Sequence, residues 1–155
     1  SWGFYSDTEY LNSILENIEG EKQKINYILT ARNWTCPSLF MAKSINKYSN
    51  KNVWFYSFDK IRDGIKSKEM GAYHGAELPY IFNTHDDWLP TSSKDLYITK
   101  IIQNYWINFI RYGNPNSNNT KWNKFNSDKS NVLAFNDKIS MKTSQAVDVC
   151  KELSY

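Results

Sequence analysis

Gly71-Ala72-Tyr73-His74-Gly75-Ala76-Glu77-Leu78-Pro79-Tyr80-Ile81-Phe82 is the stretch on which the reading of this chain turns. One histidine stands between two glycines, and a carboxylate and an apolar run follow it. Gly71 and Gly75 allow backbone conformations closed to other residues, and they let the chain pass close to its neighbours. A histidine in such a loop can present its ring to a site, because loops on a rigid scaffold often carry function. Taken alone, it is more often a surface or packing residue. Upstream lies the best strand candidate, Val53-Trp54-Phe55-Tyr56-Ser57-Phe58, and a polar loop, Asp59 to Met70, is expected to join the two. Aromatics and a β-branched residue dominate it, as expected of a strand buried on both faces of a largely parallel sheet.

Outward from this centre the chain reads mainly as helix. Ser6 to Glu9 has the spacing of a capping box, and Leu11, Ile14, Leu15 and Ile18 follow at helical intervals up to a stop at Gly20. A second helix is expected from Glu21 to about Ala31, with Ile25, Ile28 and Leu29 on one face. Cys36-Pro37 opens a third, whose buried stripe is Leu39, Phe40, Ile45 and Tyr48. Ser92 to Asp95 is another capping box, leading into Leu96, Ile98, Ile101, Ile102, Tyr105, Trp106, Phe109 and Ile110. Gly113-Asn114-Pro115 stops that helix. Residues 114 to 131 read as a long polar surface loop interrupted by Trp122 and Phe125. Val132 to Phe135 and Lys138 to Lys142 look like short strands around an Asn136-Asp137 turn, and a short helix carrying Cys150 closes the chain.

Composition bounds the function. The chain has 155 residues, 41% hydrophobic and 23% charged, which is globular, and aromatics reach 16%, which suits a large packed core. The net charge is only +3 with lysines scattered among Asp and Glu, so a basic groove for nucleic acid is a poor reading. Apolar runs fall far short of the roughly 20 residues a bilayer span needs. Ser1 to Tyr5 has neither the basic start nor the apolar core of a signal peptide. His85-Asp86-Asp87 offers three ligand types in a row, but consecutive residues rarely converge on one ion, so no metal site is assigned.

The histidine segment resembles the one around the catalytic histidine of type-B carboxylesterases, the family that includes the cholinesterases. Three further blocks resemble that family in the same order: Thr35-Cys36-Pro37, Tyr105-Trp106-Ile107-Asn108-Phe109-Ile110-Arg111-Tyr112-Gly113-Asn114-Pro115-Asn116, and Trp122-Asn123-Lys124-Phe125 with its apolar run at 132–135. The resemblance covers nearly the whole chain but only the last part of the family's domain. It implies an α/β fold. Residues 1–155 are then one C-terminal segment of an α/β-hydrolase domain, its last sheet strands plus packing helices, incomplete as a domain. In such enzymes serine, acid and histidine follow in that order along the chain, which makes His74 the proton shuttle. No Gly-x-Ser-x-Gly occurs here, and Gly64-Ile65-Lys66-Ser67-Lys68 lacks the second glycine. The family's acid and oxyanion hole lie upstream as well, so the segment alone should not hydrolyse esters.

The resemblance carries further expectations. Cys36 and Cys150 match the pair that closes a late disulfide in the family, although composition alone fits two buried thiols. A disulfide implies an oxidising compartment, hence a secreted or periplasmic protein. Tyr73 and Trp88 stand near enough to His74 in sequence to line part of its pocket. Glu77 either orients His74 or, by preference, is a structural carboxylate paired with a buried donor. Asn33 and Asn118 head glycosylation sequons. No cofactor is implied. The expected partners are the upstream remainder of the same domain and a small ester substrate. The cholinesterases also pair through helices near the C-terminal end, which raises a homodimer, but the strong apolar helix here reads as core. Some cholinesterase-like domains are non-catalytic adhesion or carrier modules, and that is the alternative function. A self-sufficient binding domain ranks last, because one central strand and a terminal hairpin cannot build the family's sheet.

Overall fold

The computed structural model describes residues 8–49, 51–85, 87, 90–117, 120–144 and 146–153. They form two compact units. One holds the described residues of Ser1–Val53, Phe125–Asn131 and Thr143–Tyr155, and the other those of Trp54–Lys124 and Val132–Lys142.

The first unit is helical. Helix α1 spans Thr8–Leu15, α2 Glu21–Thr30, α3 Cys36–Tyr48 and α7 Val147–Glu152. The expected cap at Ser6 lies outside the described residues. Helix α1 ends at Leu15, earlier than Gly20, and Gly20 serves instead as the residue before α2, at φ 84°. Helices α2 and α3 are not separated by a loop. A π-helical turn, Ala31–Thr35, joins them into one run, and the Cys36 N–H reaches back to the Ala31 carbonyl. This corrects the expectation that Cys36-Pro37 starts a fresh helix. Pro37 has no N–H to give and its ring crowds the carbonyl four residues back. A wider turn just before it relieves that crowding while the helix continues.

Cys36 and Cys150 form a disulfide with Cα atoms 5.4 Å apart, across 114 positions of sequence. It ties the first turn of α3 to α7, which packs on α1 and on the π-helical turn. Leu15, Ala31, Leu39, Ala42 and Val149 are buried in this unit. The expected apolar stripes are mostly not covered. Leu39 is buried, but Ile25 is 55% exposed and Tyr48 78%, and Leu29, Phe40, Met41 and Ile45 are exposed too. The helical spacing was sound; among the described residues nothing packs over that side.

The second unit holds the sheet core. Strands β1 (Tyr56–Phe58), β2 (Asn131–Phe135) and β3 (Ser140–Thr143) lie in the order β1-β2-β3. Strand β1 runs parallel to β2, with Tyr56 beside Leu133 and Phe58 beside Phe135. The connection from β2 to β3 is short enough only for a hairpin, and Asn136 Oδ1 accepts from the Lys138 N–H at 2.8 Å inside it. Strand β1 is shorter than the run Val53 to Phe58 and only half-buried, because β2 is its one sheet neighbour among the described residues.

Helix α6 spans Ser93–Tyr112, capped by Ser92 and Asp95 at one end and by Gly113 at φ 65° at the other, as its sequence predicts. It buries Ile98, Ile102 and Tyr105 against Leu133, Phe135 and Trp122. Trp122 meets Tyr56, Tyr105 and Phe135 edge-on, at interplanar angles of 89°, 86° and 89°, the arrangement aromatic quadrupoles favour. Burial raises the Tyr105 hydroxyl to about 12, and it donates to the Thr120 carbonyl. Two short helices, α4 (Ile65–Met70) and α5 (Leu78–Phe82), fall between β1 and α6, with α5 packed on α6; α4 corrects the expectation that 59–70 is all loop, a helical turn closing between Gly64 and Gly71. Leu96, Phe109 and Ile110, expected in the buried stripe of α6, are exposed.

Opening the disulfide releases the longest covalent loop in the chain. Loss of a native bridge typically costs about 2–5 kcal/mol. The Cys150→Ala variant is therefore expected to melt several degrees lower, measured by thermal denaturation without reductant. Thiol titration of the unfolded, unreduced wild type should find no free thiol, and two would exclude the bridge.

Candidate active site

The loop after α4 is built from turns. Gly71 has φ 64° and ψ −154°, a region essentially closed to residues with a Cβ. A Cβ there would have open space around it, so the backbone alone requires the glycine. Gly75 follows at φ 86°. The Ala76 N–H bonds to the Tyr73 carbonyl at 3.0 Å, and the Leu78 N–H to the Gly75 carbonyl at 3.1 Å. These turns leave His74 exposed between them. Helix α5 begins at once, with Pro79 in its first turn, where no N–H is needed.

Glu77 is the residue before α5, and its carbonyl accepts from the Tyr80 and Ile81 N–H groups at 2.9 and 3.0 Å. The Tyr56 hydroxyl is pushed up first by burial and then by the Glu77 carboxylate, so that carboxylate lies within electrostatic reach of the sheet core.

Beneath the loop lies a buried polar cluster. Asp95 has no exposed surface and Lys60 only 3%. Lys60 Nζ sits 3.1 Å from Asp95 Oδ1, and the Tyr80 hydroxyl donates to the same oxygen at 2.7 Å. The other oxygen, Oδ2, accepts from the Ser92 N–H and the Ser92 hydroxyl, both at 2.9 Å. Burial pushes the Asp95 carboxyl up. The bonds from Ser92, Tyr80 and Lys60 outweigh that, so it is held below the ordinary carboxylate value. Burial likewise pushes Lys60 down, and its bonds to Asp95 and to Asp137, 3.2 Å away, carry it net upward.

Arg62, also buried, lies over the Tyr80 ring at 5.7 Å and meets His85 Nδ1 at 3.3 Å. A guanidinium only donates, so His85 Nδ1 accepts and its proton sits on Nε2. Nε2 donates to Thr99 Oγ1 at 2.7 Å, and Thr99 donates to the Asp95 carbonyl at 2.8 Å. Burial and Asp95 both raise the Tyr80 hydroxyl. A small cleft separates the cluster from the loop, with Gly71, Tyr73 and Ala76 on the loop side and Lys60, Arg62 and Tyr80 below.

Of the residues singled out in the sequence, Tyr73 lines this cleft and His74 does not. Trp88, Asp86 and Asn118 lie outside the described residues. Asn33 is exposed on the π-helical turn. His85, read as part of a polar loop, is half-buried and bonded into the cluster. Lys60, Arg62, Tyr80 and the buried partner role of Asp95 were not anticipated. The one local signal was the box spacing of Ser92 and Asp95.

A three-stranded sheet with a parallel pair, a long covering helix and a histidine loop beyond β1 is part of an α/β-hydrolase fold. Solved structures share it: a thermophilic PNB esterase matches with a TM-score of 0.73 at 19% identity, over 92% of this chain and 30% of its own. A second PNB esterase matches with a TM-score of 0.73 at 20% identity, over the same shares. The model of the carboxylesterase family matches residues 7–151, and the chain belongs to that family. Among curated relatives, carboxylesterase 4A of Bos taurus is 28% identical over 124 residues, covering 78% of this chain and 22% of its own length. Neuroligin-2 of Homo sapiens is 28% identical over 141 residues, covering 76% of this chain and 17% of its own. The chain thus spans about a fifth of the length of these relatives.

The cluster makes stability depend on acid pH. Because the folded Asp95 lies below its ordinary value of 3.8, its contribution is present above that value and lost as pH falls through the folded pKa beneath it. Melting temperature should drop as pH falls below about 4. Breaking one partner of a buried pair costs about 3–5 kcal/mol, and Lys60 keeps Asp137, so Asp95→Asn should cost about 3 kcal/mol at neutral pH. It should also flatten the acid dependence. Melts of wild type and variant from pH 3 to 7 check this, and parallel curves would refute it.

Proposed function

We propose that this chain is the histidine-bearing C-terminal part of a serine hydrolase that cleaves carboxylic esters. What supports the reading is His74 in its glycine-flanked loop, which follows β1 of the parallel pair along the chain, in a chain of the carboxylesterase family. In open α/β sheets, sites lie beyond the carboxyl ends of the strands.

In this reading His74 takes the proton of a serine hydroxyl as that oxygen attacks the ester carbonyl carbon. The tetrahedral intermediate collapses, the bond to the alcohol oxygen breaks, and His74 returns the proton to the leaving alcohol. Water then attacks the acyl-enzyme by the same proton route and releases the acid. The serine, the triad acid and the oxyanion donors come from the remainder of the domain, so the chain by itself is inactive. No cofactor enters. The same remainder covers the exposed apolar faces of α2, α3 and α6, and we assign that cover to it rather than to a second copy. The disulfide fits an oxidising compartment, hence secretion or a periplasmic site. Among the described residues no helix is long and apolar enough to cross a membrane.

A second reading, a non-catalytic adhesion or carrier module on the same fold, is favoured by the neuroligins among the relatives. The residue at the elbow of the complete protein separates the two.

In the complete protein, His74→Ala should lower kcat for a simple aryl ester by about a thousandfold or more, since triad members act as a unit. Steady-state kinetics measures it. A loss under about tenfold excludes the proton-shuttle role, and a complete protein with no ester hydrolysis points to the second reading.

A further inference from the structure

The His74 loop is shaped by two glycines and by short-range turn hydrogen bonds, and Tyr80 ties these to the buried cluster. Three holds converge on Tyr80, the residue that follows the loop into α5. Its hydroxyl bonds Asp95 at 2.7 Å. Its ring face carries the Arg62 guanidinium at 5.7 Å. Its ring also meets His85 at 5.0 Å and 81°, and His85 is fixed in turn by Thr99 of α6. The Tyr80 N–H bonds the Glu77 carbonyl at 2.9 Å, and Glu77 is three residues from His74. A movement of Tyr80 therefore passes directly into the loop.

We propose that Tyr80, anchored by Asp95, is a positioning residue for His74: the buried hydroxyl–carboxylate bond sets where the loop holds the imidazole. This rests on the proton-shuttle reading of His74. Asp95 suits the task because it also caps α6, so the anchor point belongs to the longest helix of the unit. A reacting group misplaced by about 1 Å can cost on the order of a hundredfold in rate.

The test uses the complete protein and an aryl ester. Tyr80→Phe keeps the ring and removes only the hydroxyl. Its kcat should fall by about ten- to a hundredfold with KM changed less than about twofold, and the acid limb of the pH profile of kcat/KM should move. Thr99→Val, which removes the Thr99 hydroxyl bond to His85, should act in the same direction and decides the matter alone if Tyr80→Phe does not fold. The double variant His74→Ala/Tyr80→Phe should be no slower than His74→Ala, because Tyr80 acts only through His74. Wild-type kcat and an unmoved acid limb in the folded variants, even with a lowered melting temperature, would overturn the proposal. So would further loss in the double variant. An active His74→Ala single variant instead identifies the proton-shuttle reading as the part that failed.

Discussion

Asp95 holds the second unit in one arrangement. A carboxylate without exposed surface is expensive unless every lone pair finds a donor, and here Ser92, Tyr80 and Lys60 supply them. Those donors come from three segments: the exit of β1, helix α5 and the turn before α6. Helix α6 adds its own positive end to the balance, since Asp95 sits in its first turn. Such a pair need not make the protein more stable than an apolar filling would. What it does is penalise every packing in which one partner is missing, so α5 and α6 are held in a single register. The loop between Gly71 and Gly75 inherits that register.

The exposed surfaces point the other way, toward what this chain leaves uncovered. Ile25, Leu29, Phe40, Met41, Ile45 and Tyr48 face outward on the α2–α3 run, and Leu96, Ile107 and Ile110 do so on α6. Exposed large apolar side chains in such number suggest surfaces that meet something else. Among the described residues the sheet has three strands, and the chain spans about a fifth of the relatives' length. On the reading proposed above, the remainder of the domain would cover these helices, whose apolar spacing is helical and yet uncovered here.

Local rules were legible in the sequence where they act over a few residues. The Ser92–Asp95 box, the Gly113 stop and strand β2 follow their own spacing and turn chemistry, and all three stand in the structure. Rules that need a distant partner were not legible. Pro37 reads as a helix start because its missing N–H is harmless there. The chain instead absorbs it in a π-helical turn, and the helix continues through Cys36 into α3. Tyr80 reads as one more apolar residue in Leu78 to Phe82, and nothing nearby announces that its hydroxyl is needed.

By itself, the sequence determined the family, the longer helices and the hairpin, and which histidine stands in the glycine loop, because periodicity, caps and a histidine between two glycines are written in neighbouring residues. Only the tertiary structure decided that Lys60, Tyr80 and Asp95 meet, that His85 is drawn into their cluster, and that half the apolar helix faces stay open. Ion pairing and burial depend on distance in space, and residues 60, 80 and 95 become neighbours only when β1, α5 and α6 fold onto one core.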